Sequence, residues 1–107
     1  MNLKSPKQYE ARARIAKAIA HPTRLVLLDA LADNELCVNE LTELVGADQS
    51  TVSKHLAILR EIGLVAARRE GTTHYYRITC RCLTGVFDCI ESVLRENLET
   101  QRELLGG

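Results

Sequence analysis

A chain of 107 residues fits one domain with a single core, and its 46% hydrophobic and 26% charged residues are ordinary for a globular protein. Only two prolines and six glycines interrupt it, which excludes a disordered or low-complexity chain, and the absence of Trp with a single Phe argues against a ring-stacking cleft. Fourteen basic and fourteen acidic side chains cancel, which at first argues against a polyanionic partner.

The distribution of charge reverses that impression. Residues 1 to 49 carry six basic and seven acidic groups, residues 50 to 81 carry six and two, and residues 82 to 107 carry two and five. A basic island in the middle and an acidic end suggest a molecule that turns one face towards phosphate. The N-terminus has no apolar run of signal-peptide length, and no stretch approaches the roughly 20 apolar residues that span a bilayer. The expectation is a cytoplasmic protein with no membrane partner. In that reducing compartment Cys37, Cys80, Cys82 and Cys89 are expected as thiols, metal ligands or redox sensors rather than structural disulfides.

In chain order, Lys7 to Ala20 places Ile15 and Ile19 one turn apart among charged residues, which predicts a first amphipathic helix. His21-Pro22 ends it, and Pro suits the first turn of a second helix carrying Leu25, Leu28 and Leu31. After Asp33-Asn34-Glu35, a short third helix presents Val38, Leu41, Leu44 and Val45 and stops at Gly46. A fourth helix runs from Gln49 to Gly63 with Val52, Leu56 and Leu59 on one side, and Asp48 or Ser50 is placed to cap it. Val65 to Glu70 and His74 to Thr79 are β-prone runs joined by Gly71-Thr72-Thr73, a hairpin. From Leu83 onward Val86, Phe87, Ile90, Val93, Leu94, Leu98 and Leu105 return to helical spacing, over a length that a domain this small does not need for its own core. The expected use of that helix is dimerisation.

The expected fold class is therefore mainly α with a β-hairpin wing, in the order α-α-α-α-β-β-α. It forms a single domain over residues 1–107, with a helix-turn-helix at about 38–63, the wing at about 65–79 and a C-terminal dimerisation helix at about 83–105. Two helices joined by a tight glycine-containing turn, the second rich in hydrogen-bonding side chains, describe a helix-turn-helix. A polar helix and a charged hairpin also describe an ordinary solvated face. The ordered set of short helix, turn, polar helix and basic hairpin, with Arg68 and Arg69 before the tip and Arg77 after it, favours a winged helix. Gln49, Ser50, Thr51, Ser53 and Lys54 then stand in the first turns, where side chains reach base edges and phosphates. Arg60 near the helix end is placed for backbone phosphate, and Arg68 and Arg69 on the wing for phosphate or a minor groove. His55 is open between a buried, hydrogen-bonded histidine and a DNA contact.

With these residues in view, the chain resembles the ArsR/SmtB family of bacterial metalloregulatory repressors over nearly its whole length. The resemblance is carried by Ala20-His21-Pro22-Thr23-Arg24-Leu25, by Glu35-Leu36-Cys37-Val38-Asn39-Glu40-Leu41 and by Gln49-Ser50-Thr51-Val52-Ser53-Lys54-His55-Leu56-Ala57-Ile58-Leu59. Gly63-Leu64-Val65, Arg69-Glu70-Gly71 and Tyr75-Tyr76-Arg77-Ile78 complete it. The resemblance implies a homodimer paired through its first and last helices, bound as a repressor to an imperfect palindrome of double-stranded operator DNA and released by a ligand. No cofactor is expected for DNA binding itself.

Family members sense metals at different places. The thiolate site of the third helix uses two cysteines one residue apart, but here Asn39 stands where the partner of Cys37 would be. The zinc-type site of the last helix needs Asp and His, and residues 83 to 107 contain no histidine. Cys80, Cys82 and Cys89 remain, a soft-ligand cluster suited to arsenite, antimonite or another soft metal ion. If residues 82 to 89 were all helical, their sulfurs would lie about 10.5 Å apart along the axis, too far for one ion. A helix starting near Thr84 or Gly85 would leave Cys82 free to fold back, and a partner subunit is another source of a ligand. A redox or sulfur-species switch and simple packing are alternative readings of these thiols. An enzyme is not expected, because His21, His55 and His74 are scattered and no nucleophile has an evident base. A rival of another class is a winged helix that docks an acidic protein.

Overall fold

The computed structural model describes residues 1–106. Helix α1 spans Pro6–Ile19, and its start is fixed by a reciprocal cap. Gln8 N–H donates to Ser5 Oγ at 3.3 Å while Ser5 N–H donates to Gln8 Oε1 at 2.8 Å, which satisfies two otherwise free amides. Helix α2, Pro22–Ala30, begins as the His-Pro pair predicts, with His21 as the cap. Thr23 N–H donates to His21 Nδ1 at 3.1 Å.

A two-residue strand β1, Leu36–Cys37, follows, absent from the sequence expectation because two residues carry no periodicity. The observed order is thus α-α-β-α-α-β-β-α. Helix α3 spans Val38–Val45 and ends at Gly46, whose φ of 73° is the left-handed conformation that closes a helix cheaply only with glycine. Helix α4, Gln49–Glu61, is capped by Asp48. The hairpin pairs β2, Val65–Glu70, with β3, Thr73–Ile78, in the register Val65↔Ile78 to Glu70↔Thr73. Thr73 therefore belongs to the strand, and the turn is the pair Gly71-Thr72. β3 is the central strand, with β1 on its other edge at Leu36↔Tyr76 and Cys37↔Tyr75. Helix α5 runs Cys82–Leu104.

Leu27, Leu28, Leu31, Leu41, Val52, Leu56, Leu59, Leu64, Val65 and Leu83 form one core. Val52, Leu56 and Leu59 are fully buried, so the expected apolar side of α4 is the one that anchors it. Burial of each such side chain stabilises the fold by about 1.5–3 kcal/mol. In α2 the buried pair is Leu27 and Leu28, while Leu25 is only half-buried. Leu44 of α3 is 61% exposed, against the expectation that it joins the core. Helix α5 buries only Leu83 and packs Phe87 against the core, and the rest of its length leaves the domain. None of the described helices is long and apolar enough to cross a membrane.

Candidate nucleic-acid interface

The orientation of α4 follows from its three buried residues. With 3.6 residues per turn, Val52, Leu56 and Leu59 define the inward face, Ser50, Lys54, Ala57 and Glu61 stand opposite, and Gln49, Ser53 and Arg60 share one flank. Gln49, Ser50, Ser53, Lys54 and Arg60 are all exposed. Thr51 and His55 are half-buried on the other flank, which faces α1 and α2.

The N-terminus of α4 is held by a carboxylate. Asp48 Oδ1 accepts the Thr51 N–H at 2.8 Å and the Ser50 hydroxyl at 2.9 Å. Hydrogen bonds from the Thr51 side chain, then from its backbone and from Ser50, hold the Asp48 carboxyl below its usual range. Between the two capping residues expected from sequence, Asp48 takes the role and Ser50 supports it. The helix end is therefore already matched with a negative charge. Groups outside the cap, Gln49, Ser53 and Lys54, are the ones free of it.

The wing is tied to the body at both ends. At its base Thr79 Oγ1 donates to the Gly63 carbonyl at 2.6 Å and Thr79 N–H to that of Leu64 at 3.1 Å, just beyond α4. Higher up, Arg68 makes a network that crosses 33 positions of sequence: Nη2 lies 2.6 Å from Glu35 Oε1, Nε donates to the same oxygen at 2.7 Å, and Nη1 donates to Glu70 at 2.9 Å. Its guanidinium also lies over the Tyr75 ring, 4.6 Å from the centroid. The hydrogen bond that Arg68 donates holds Glu35 below the ordinary carboxylate range, and donating to Glu35 in turn holds Arg68 above its own. Arg68, expected as a phosphate contact, is thus engaged within the protein as a brace of the wing. Arg69 donates to the Gly71 carbonyl at 2.8 Å through Nε and is exposed, as is Arg77.

His55 is engaged from behind. Its Nδ1 accepts Arg24 Nε–H at 3.1 Å, and its ring centroid lies 4.5 Å from that of His21. Burial, then the neighbouring His21 and Arg24 charges, push its pKa below the usual histidine value. Arg24, Glu35 and Tyr75 were missed as participants, because their contacts span long stretches of sequence and leave no local pattern.

The three-thiol grouping is not assembled within one subunit. Cys80 and Cys82 form a disulfide across Arg81, with Cα atoms 5.4 Å apart. α5 begins at Cys82 and not near Thr84, so seven helical steps place Cys89 about 10.5 Å further along the axis. Cys89 is exposed, Cys37 is half-buried at the start of α3, and both are free. Among the described residues no three His, Cys, Asp or Glu side chains converge on a metal-sized site.

Two helices with a tight turn, a polar second helix and a braced basic hairpin define the protein as a winged helix-turn-helix regulator. The profile described as "Bacterial regulatory protein, arsR family" matches residues 21–67. The chain is 44% identical over 73 residues to the HTH-type transcriptional regulator MJ1325 of Methanocaldococcus jannaschii, covering 67% of this chain and 82% of that one. It is 41% identical over 86 residues to the HTH-type transcriptional regulator Rv0324 of Mycobacterium tuberculosis, covering 80% of this chain but spanning only 38% of that relative's length. The solution structure of Mb0332 from Mycobacterium bovis, described as a homodimeric winged helix-turn-helix DNA-binding domain, superposes with a TM-score of 0.76. It is 37% identical, with 94% of this chain and 95% of that one covered. The chain belongs to the arsR family of bacterial regulatory proteins and is a transcriptional regulator.

Proposed function

We propose that this chain represses transcription as a homodimer on a two-half-site operator, with α4 in the major groove and the wing along the flanking backbone. The observation that carries this reading is the exposed polar start of α4 standing away from three fully buried residues, beside a hairpin bearing Arg69 and Arg77. Gln49 and Ser53 read base edges, with Ser50 and Thr51 supporting the helix start and His55 contributing from the flank. Lys54, Arg60 and Arg69 neutralise phosphates. Arg68 acts indirectly, by holding the wing at its angle.

Dimerisation through the first and last helices is supported by the apolar surface they leave open. On α5, Val86, Ile90, Val93, Leu94 and Leu98 are 45–62% exposed along one stripe, and α1 adds Tyr9 and Ile15 at 41% and 42%. An apolar groove of about 460 Å³ between α2, α3 and α5, lined by Val26, Leu44, Phe87 and Ile90, continues that stripe. A contiguous apolar surface of this kind belongs to an interface.

For release, the pairing of Cys80 with Cys82 favours a thiol redox or sulfur-species response over a three-thiol ion site. Two thiols give two protons and two electrons to a peroxide, which is reduced to two waters, and the S–S bond closes between the end of β3 and the start of α5. That junction joins the wing to the dimer helix, so the bond alters the angle between DNA-reading and dimerising parts. The test is titration of the chain onto its own upstream DNA with peroxide, a persulfide, arsenite and cadmium added in turn. Release by oxidant, lost in Cys80→Ser and Cys82→Ser, supports the redox reading. Release by arsenite alone restores the soft-ion reading. A winged helix that docks an acidic protein would bind no operator at low salt.

A further inference from the structure

Helices α1, α2 and α4 meet at one polar point. Arg24 of α2 donates Nε–H to His55 Nδ1 on α4 at 3.1 Å and Nη1–H to the Ala18 carbonyl on α1 at 3.2 Å. The His21 ring lies 4.5 Å from that of His55, tilted by 44°, and its own Nδ1 accepts the Thr23 N–H.

The chemistry of the donors settles the protons. A guanidinium has only N–H groups to offer and stays charged, so the atom facing it must carry a lone pair. His55 Nδ1 is therefore unprotonated, and a neutral ring keeps its proton on Nε2. Nε2 is not a buried orphan and makes no hydrogen bond among the described residues.

We propose that Arg24 is a positioning residue for operator recognition, fixing His55 of α4 as the Nε2–H tautomer and so presenting a single N–H donor to the DNA. This rests on the operator-binding reading above. The second-layer hydrogen bond that orients an imidazole is a general device for deciding which nitrogen does the work. Arg24 also donates to the Ala18 carbonyl of α1, so the side chain that fixes the tautomer of His55 is itself held in place.

The surroundings keep the ring neutral. The corner holds Arg24 and His21 from α2 and its cap, Arg14 and Lys17 of α1 beside Arg24, and Glu61 on α4 itself, while Lys54 next to His55 is exposed on the outward face of α4. The other elements against α4, namely α3 and β2, meet it through the apolar core and keep Glu40, Glu43, Arg68, Arg69 and Glu70 exposed. A second N–H on His55 would point a donor at Arg24, and burial with the local positive charge pushes its pKa below the usual value.

The experiment combines imidazole ¹⁵N NMR with operator binding on the full chain, for Arg24→Ala, Arg24→Gln, His55→Ala and the double variant. The glutamine amide retains an N–H for Nδ1 without the charge. Expected is a single Nε2–H tautomer for His55 in the wild type and Arg24→Gln, a tautomer mixture titrating at higher pH in Arg24→Ala, and operator affinity roughly tenfold weaker per lost contact in Arg24→Ala. Arg24→Ala should cost nothing further on the His55→Ala background. Full additivity of the two losses, or a failure of Arg24→Gln to restore affinity while it restores the tautomer, overturns the proposal. The NMR arm needs no DNA: a fixed tautomer with no operator binding in the wild type would refute the operator reading, and a mixed tautomer in the wild type would refute this one.

Discussion

Arg60 offers a quantitative test of the phosphate-facing role. It is exposed in the last turn of α4, on the flank shared with Gln49 and Ser53, and it has no ion-pair partner among the described residues. Each phosphate neutralised releases counterions and contributes about −0.9 to the slope of log K against log salt. A dimer carries two copies, so Arg60→Ala makes the slope shallower by about 1.8. Across a rise from 50 to 200 mM salt, the variant therefore loses about twelvefold less affinity than the wild type. Because a phosphate carries no sequence information, operator and random duplex weaken together. Fluorescence anisotropy at five or six salt concentrations gives both slopes. A slope unchanged within error, or a loss confined to the operator, refutes the assignment.

Other consequences follow from burial, interface and titration. Leu56→Ala removes a fully buried side chain beneath the recognition helix and costs about 2–5 kcal/mol, read from urea denaturation. Leu94→Arg puts a cation into the open α5 stripe; sedimentation should show a monomer, with operator affinity lower by roughly a hundredfold or more. His55 has a lowered pKa, so the unfolded chain binds its proton first. Its contribution to stability is whole above the ordinary value of 6.5 and is lost as pH falls from there through the lowered value, a slope that His55→Gln should flatten in thermal melts.

The architecture was legible where it is local. Val52, Leu56 and Leu59 recur at helical spacing, and Gly46 and the Gly71 turn punctuate the chain, so α4 and the hairpin could be read within a residue or two of their ends. β1 was not legible, because its two residues are held in place by pairing with Tyr75 and Tyr76 rather than by any preference of their own. The roles of Arg68 and Arg24 were hidden for a related reason: each is set by a partner more than 30 positions away, Glu35 for the first and His55 for the second. The cysteines were grouped by sequence spacing alone. The start of α5 at Cys82 separates Cys89 from the pair, a boundary that no capping side chain marks.

The central claim is that two copies of α4 read two half-sites on one face of DNA. Hydroxyl-radical footprinting of the chain on its own upstream region tests it most directly. Two protected patches related by a dyad are expected, with centres one helical turn apart, about 34–36 Å, that vanish together as salt is raised. A single patch without symmetry, or no protection at low salt, would contradict it.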